Sequence, residues 1–405
     1  MSYIPMLAND QQYTMRTSDA SFYLAYILWT ILVILNSSFY ASYIQGTIFL
    51  FVRTACLVLL LFSELTRMHF SAQSIIGVII ACIFSYAILT AHESILLDIV
   101  AFVFCSRDRD FRRIARIGLV LTSCLVTFIV ISSFIGIIRN YSGWSGGRMR
   151  SYLGFLYALF PAQYLYLITC LAIFLLGNNI RLRNVIILIC ANYLIYYFTN
   201  SRLSFLSSIA LIFFSWGIAH FHRKHSSEAA YHIPMVLQVL AALSFVLSAL
   251  GSLLLTACYD PSVDWMSQLN GVSLLGGRLS IGQQWLRSYP IQLFGRELHF
   301  TGAALDSNGV AGSFAQYDTI DSLYVRMLVT YGLVFTLLFI ALFTSVTVRA
   351  IRSKNIFLIV ILVSIALHCT IDNLSLHLQY DTFLLLIGML MNSPQKATRR
   401  EGSHG

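Results

Sequence analysis

The sequence predicts an all-α polytopic membrane protein of about twelve transmembrane helices, and three observations carry that reading. Of 405 residues, 58% are apolar and only 11% charged, with mean hydropathy +0.76, whereas a soluble domain is about 25% charged. Apolar runs of about 20 residues, each enough for one bilayer crossing, recur along the whole length. Clusters of basic residues punctuate those runs at intervals that fit alternating sides of a membrane. This composition excludes cytosolic enzymes, secreted domains and nucleic-acid binders.

In chain order the spans fall near 21–39, 46–64, 72–90, 91–106, 117–138, 153–176, 184–199, 203–221, 233–256, 322–345, 355–373 and 375–391. The fourth carries His92, Glu93 and Asp98, and the seventh and twelfth are short. Charge parity decides for the fourth. RDRDFRRIAR (107–116), HRKH (222–225), Arg349, Arg352 and Lys354, and the tail with Lys396, Arg399 and Arg400 all belong inside by the positive-inside rule. Counting the fourth span puts Arg67 and both termini inside as well. The first 20 residues lack the pattern of a cleavable signal peptide, so the first span is expected to act as its own signal. Arg53, alone in the second span, is expected to pair with an internal acid such as Asp98.

The expected organisation is a membrane domain over 1–256, with about nine helices and an outer loop at 139–152, then an extracytoplasmic loop over 257–321. Membrane helices over 322–391 and a cytoplasmic tail over 392–405 complete it. Within the long loop, Arg278–Tyr289 places Leu279, Gly282, Trp285 and Leu286 on one helical stripe and is expected to lie at the interface. The eight cysteines show no CxxC spacing, so neither a disulfide framework nor a metal cluster is implied.

Arginine outnumbers lysine 23 to 3, a preference that favours multidentate anions such as phosphate. With this topology Arg139, Arg148, Arg150, Arg202, Arg278, Arg287 and Arg296 lie on the outer side, against the usual bias. Headgroup anchoring explains any one of them. Together they match the several fixed donors that a lipid-linked pyrophosphate needs. Arg148 and Arg150 follow Gly146 and Gly147, Arg278 follows Gly276 and Gly277, and Arg202 sits in TNSR between two spans. Arg287 and Trp285 on the loop helix complete the substrate-binding candidates. For acid/base chemistry the candidates are His299, Glu297, Asp318 and Asp321, with His368 and Asp372 one helical turn apart at the outer end of a span. Asp321 is also expected to act as a helix cap with Ser322. No HExxH, DxD, Walker A or Ser-His-Asp signature is present.

GRMRSYLGF before the sixth span, TNSR after the seventh, GGRLSIGQQWLRSYPIQLFG in the long loop and YDTIDSLYVRMLVTYGL after it resemble the Wzy-type polysaccharide repeat-unit polymerases of O-antigen, capsule and exopolysaccharide clusters, over roughly residues 90–390. After LGF the chain reads LYALFPAQY, where relatives often carry a proline-asparagine or histidine-proline element. The resemblance implies a GT-C-like glycosyltransferase of the bacterial cytoplasmic membrane that joins oligosaccharides carried on undecaprenyl pyrophosphate, on the outer face and without a metal or other cofactor. It implies as partners the lipid-linked oligosaccharide, the bilayer, and the chain-length regulator and flippase of the same pathway. A ligase of related architecture, transferring the finished chain to another acceptor, would use much the same arginines. A lipid-linked oligosaccharide flippase would need a polar cavity lined by many spans, and here the charges concentrate in outer loops.

Overall fold

The computed structural model describes residues 17–44, 46–66, 72–145, 147–224, 233–271, 275–306, 308–310 and 317–391. The long apolar runs form helices: α1 (Thr17–Asn36), followed by one turn α2 (Ala41–Ile44), α3 (Thr47–Leu65), α4 (Ala72–Thr90), α5 (Ile95–Cys105) and α6 (Phe111–Phe134). A hairpin of β1 (Ser142–Ser145) and β2 (Arg148–Ser151) precedes α7 (Phe160–Leu176), α8 (Leu182–Thr199) and α9 (Arg202–Lys224). Then come α10 (Met235–Ala242), α11 (Ser244–Ala257), α12 (Asp264–Asn270), α13 (Arg278–Ser288), α14 (Leu323–Thr330), α15 (Gly332–Arg352) and α16 (Ile356–His368). Local chemistry sets several boundaries. Asp110 caps α6 by accepting the Arg112 N–H at 2.9 Å, and Asn355 caps α16 through the Leu358 N–H at 3.2 Å. Asn200, at φ +53°, ends α8 in the left-handed conformation that asparagine tolerates.

Eight helices among the described residues are long and apolar enough to cross a bilayer, and α10 with α11, bent by 57°, make a ninth candidate. Phe51, Phe214 and Met235, on α3, α9 and α10, are exposed by 70% or more. So much apolar surface, on helices long enough to cross a bilayer, fits a lipid surround: the chain is a mostly helical, multi-pass membrane protein. Several of the twelve expected runs take other forms, and the tenth (322–345) is split into α14 and α15 at Tyr331. At 11 residues α5 is about 16 Å long, and α16, with 13, about 20 Å, against a hydrocarbon core of about 30 Å. Residues 374–391 are not α-helical but turn through short 3-10 segments. There Asp372 and Asp381 hydrogen-bond the backbone N–H groups of Leu374 and Phe383, and such local bonds compete with the helical ladder.

The core is built on α1, α7 and α16, which bury most of their side chains. At one end of the bundle the basic segments are tied down: Arg109 bonds Asp19 and Ser63, Arg107 bonds Glu64, and Arg349 bonds the Met389 carbonyl. Within the core, Arg53 Nε lies 2.7 Å from Asp98 Oδ2, the pairing expected from the sequence. The opposite end holds the hairpin, the α8–α9 turn, the end of α16 and the long loop. The loop is fastened there by Arg139 to the Asn308 carbonyl at 2.5 Å, the Leu305 N–H to the Leu156 carbonyl at 2.7 Å and Asn373 to the Ile320 carbonyl at 2.6 Å.

Candidate active site

A cavity of about 400 Å³ opens at the loop end of the bundle, within the range of small-molecule sites. Arg148, Arg150, Arg202 and Arg278 all line it, with Asp321, Tyr157, Tyr317, His368 and Asp372. The hairpin presents the first two. Arg148 pairs with Ser145 and Arg150 with Gly143 across the strands, and a spacing of two puts both on one face. Arg202 is the first residue of α9, just past the left-handed Asn200. Arg278 begins α13 after Gly277, whose φ of +87° lets the chain turn into the helix there.

Arg278 is held on three sides. Its Nε lies 3.1 Å from Asp321 Oδ2 and 3.1 Å from the Ile371 carbonyl, and its Nη1 donates to the Leu275 carbonyl at 2.7 Å. Tyr317 donates its hydroxyl to Asp321 Oδ1 at 2.7 Å. Burial works against the Arg278 charge, but Asp321 and the neighbouring phenols outweigh it and raise its pKa. Arg148 and Arg150 are shifted the other way, lowered first by burial and then by neighbouring arginines: Arg202 and Arg150 beside Arg148, Arg278 beside Arg150. Among the described residues the buried Nε of Arg150 has no hydrogen-bond partner. Burial and the adjacent Asp321 push the Tyr157 and Tyr317 phenols up, keeping them protonated. Four guanidinium groups against two carboxyl groups, one of them committed to Arg278, give the cavity an excess of positive charge, an arrangement that could accept an anion with several oxygens.

A second network closes the cavity floor. Asp372, in the turn after α16, accepts the Leu374 N–H at 2.7 Å and the Gln163 side-chain amide. Gln163 Oε1 lies 2.9 Å from His368 Nε2, and His368 stacks on Tyr166 with ring centres 4.2 Å apart. His368 and Asp372 thus meet through Gln163, while Arg326 pairs with Glu93 at 3.1 Å and bonds neither. Gln163, Tyr157 and Tyr317 were not among the sequence candidates. The one signal for Gln163 was a polar side chain in the first turn of an otherwise apolar span.

The other sequence candidates lie outside the cavity. Trp285 is buried in a small loop core, stacked on Tyr289 and against Phe300, and donates its indole N–H to Asp318 Oδ1 at 2.6 Å. Trp285 and Asp318 therefore build the loop. The stripe of α13 expected from the sequence faces inward, with Leu279, Gly282, Gln283 and Trp285 buried where it packs on α11 and α14, while Gln284, Arg287 and Ser288 stay exposed. Arg287, on the exposed face of α13, does not line the cavity. Glu297 is half exposed beside His92 and His299, and the His299 side chain is 91% exposed. Asp321 does not cap α14. Ser322 holds the cap position without a capping bond and shares a 2.7 Å hydrogen bond with Ser252, leaving Asp321 to Arg278.

The LFG and YGL segments lie against each other. Leu333 and Val334 donate their N–H groups to the Gln292 and Leu293 carbonyls at 2.8 and 3.1 Å. Gly332, at φ +86°, leaves room for this, since a Cβ there would stand 2.6 Å from the Phe294 carbonyl oxygen. No family model, curated protein or solved structure matches the chain.

Proposed function

We propose that this protein is a membrane glycosyltransferase of the Wzy type, joining oligosaccharide units carried on undecaprenyl pyrophosphate at the outer face of a bacterial cytoplasmic membrane. The observation that carries the reading is the convergence of Arg148, Arg150, Arg202 and Arg278 on one cavity from three separate parts of the chain. The cavity lies at the end of the bundle opposite the basic 107–116 segment, so if that segment is cytoplasmic the arginines face outward. The twelve-crossing topology, the GT-C-like architecture and the cytoplasmic termini belong to this proposal.

In the proposed reaction a sugar hydroxyl of a new unit attacks the anomeric carbon of the growing chain. The bond from that carbon to the pyrophosphate oxygen breaks, and the electron pair leaves with the pyrophosphate. Fixed guanidinium groups stabilise the charge that develops there, the task a divalent cation performs in other transferases. The proposal includes turnover without metal, so polymerisation by purified protein with lipid-linked repeat units continues in excess EDTA.

The experiment that tests the reading is the surface-polysaccharide ladder of a strain deleted for this protein. A polymerase loss leaves single repeat units on the carrier. Long chains retained on the carrier would replace the reading with a ligase, and absence of exposed units would replace it with a flippase.

A further inference from the structure

The glycosyl transfer proposed above requires a group to take the acceptor's proton, and the cavity contains two carboxyl groups in different settings. Asp321 is committed on both oxygens, to the Tyr317 hydroxyl at 2.7 Å and to Arg278 at 3.1 Å. A carboxylate paired with a fixed guanidinium is a weak base. The partners of Asp372 are both uncharged: the Leu374 N–H on Oδ1 and the Gln163 amide on Oδ2.

The Gln163 contacts orient the network. Because its amide nitrogen donates to Asp372, its carbonyl oxygen must accept from His368 Nε2, 2.9 Å away. His368 is then protonated at Nε2, and its Nδ1 faces the Ser207 hydroxyl at 3.4 Å as an acceptor. Each known bond to Asp372 therefore treats it as an acceptor, and each oxygen keeps a further lone pair for a ligand in the cavity it lines.

We propose that Asp372 is the general base of the transfer, with Gln163 and His368 as positioning residues that hold its carboxylate toward the cavity. The inference rests on the glycosyltransferase reading. The acceptor O–H bond breaks and its proton passes to Asp372. The freed oxygen bonds the anomeric carbon as the carbon–pyrophosphate bond breaks, and the pyrophosphate departs with that electron pair onto the arginines. Asp372 returns its proton to water after product leaves, so no further reactant is needed.

The test compares full-length Asp372→Asn and Gln163→Leu with wild type in liposomes. It uses lipid-linked repeat units extracted from a strain lacking the protein, and undecaprenyl pyrophosphate alone as the binding probe. Asparagine supports the turn at Leu374 as well as aspartate does, so Asp372→Asn separates a base from a turn residue. The expected result is unchanged pyrophosphate binding with kcat lowered by about a hundredfold or more. For Gln163→Leu the expectation is a kcat lowered about ten- to a hundredfold with KM and probe binding unchanged. Wild-type turnover in Asp372→Asn would overturn the proposal. So would parallel loss of probe binding and turnover, which would make Asp372 a prop for the arginines. If wild type itself failed to bind undecaprenyl pyrophosphate, the glycosyltransferase reading would fall first, and the base with it.

Discussion

Replacing Arg278 by lysine keeps the charge and removes the geometry, which makes it the sharpest test of the anion site. The guanidinium reaches Asp321 and the Ile371 carbonyl, each at 3.1 Å from Nε, and the Leu275 carbonyl at 2.7 Å from Nη1. A lysine ammonium placed at Asp321 cannot also hold both carbonyls; Leu275 keeps the backbone N–H of residue 278 at 3.4 Å, but the Ile371 carbonyl left unpaired in a buried setting costs about 1–3 kcal/mol of stability. Separately, losing one oriented charged donor to the leaving group costs about 2.7–4 kcal/mol in the transition state, or about a hundred- to a thousandfold in rate. Polymer formation per folded molecule, with folded protein quantified by monodisperse elution in detergent, separates the two effects. The expected outcome is a lower melting midpoint together with that rate loss. A variant turning over at the wild-type rate per folded molecule would show that Arg278 only braces the loop.

Gly332→Ala is expected to destabilise the protein by about 2–5 kcal/mol, because left-handed strain adds to the overlap of its Cβ with the Phe294 and Leu293 carbonyl oxygens at 2.6 and 2.7 Å; thermal melting in detergent checks this. Trp285→Phe removes the 2.6 Å bond to Asp318 and should cost about 1–3 kcal/mol while leaving undecaprenyl pyrophosphate binding unchanged. His299→Ala, at a side chain 91% exposed outside the cavity, should leave polymer length unchanged and stability within about 0.5 kcal/mol of wild type, read from the polysaccharide ladder and thermal melting. Single cysteines at 139–152 and 257–321, in a background lacking the eight native cysteines, should react with an impermeant maleimide in intact cells, and those at 107–116 and 222–231 should not.

The bundle was legible because hydropathy reports the lipid-facing surface directly, and the long helices follow the apolar runs. The short α5 and the irregular 374–391 segment were harder to read, since an apolar segment shielded by protein need be neither long nor helical, and its form depends on local bonds such as Asp381 to Phe383. Arg148, Arg150, Arg202 and Arg278 could be singled out because arginines that run against the charge bias of an expected topology are conspicuous in a linear sequence. The role of Trp285 was not, because its partner Asp318 lies 33 residues away and only the folded loop joins them. His299 and Asp372 illustrate the same limit. Both are titratable residues in polar surroundings, and what separates them is a contact with Gln163 from a helix 209 residues distant.

The cavity is assembled from side chains at positions 148–150, 202, 278, 321 and 368–372, and the loop that supplies Arg278 is fastened to the backbone of Ile371. The chain leaves the ribosome in that order, so the arginines of the hairpin and of α9 are in place long before their counterparts. Until the turn after α16 has been made, Arg278 has Asp321 and the Leu275 carbonyl but not the Ile371 carbonyl, and the cavity lacks a floor. A nascent chain halted anywhere short of that turn carries several charged walls of the cavity without its floor, so the cavity is completed only late in synthesis.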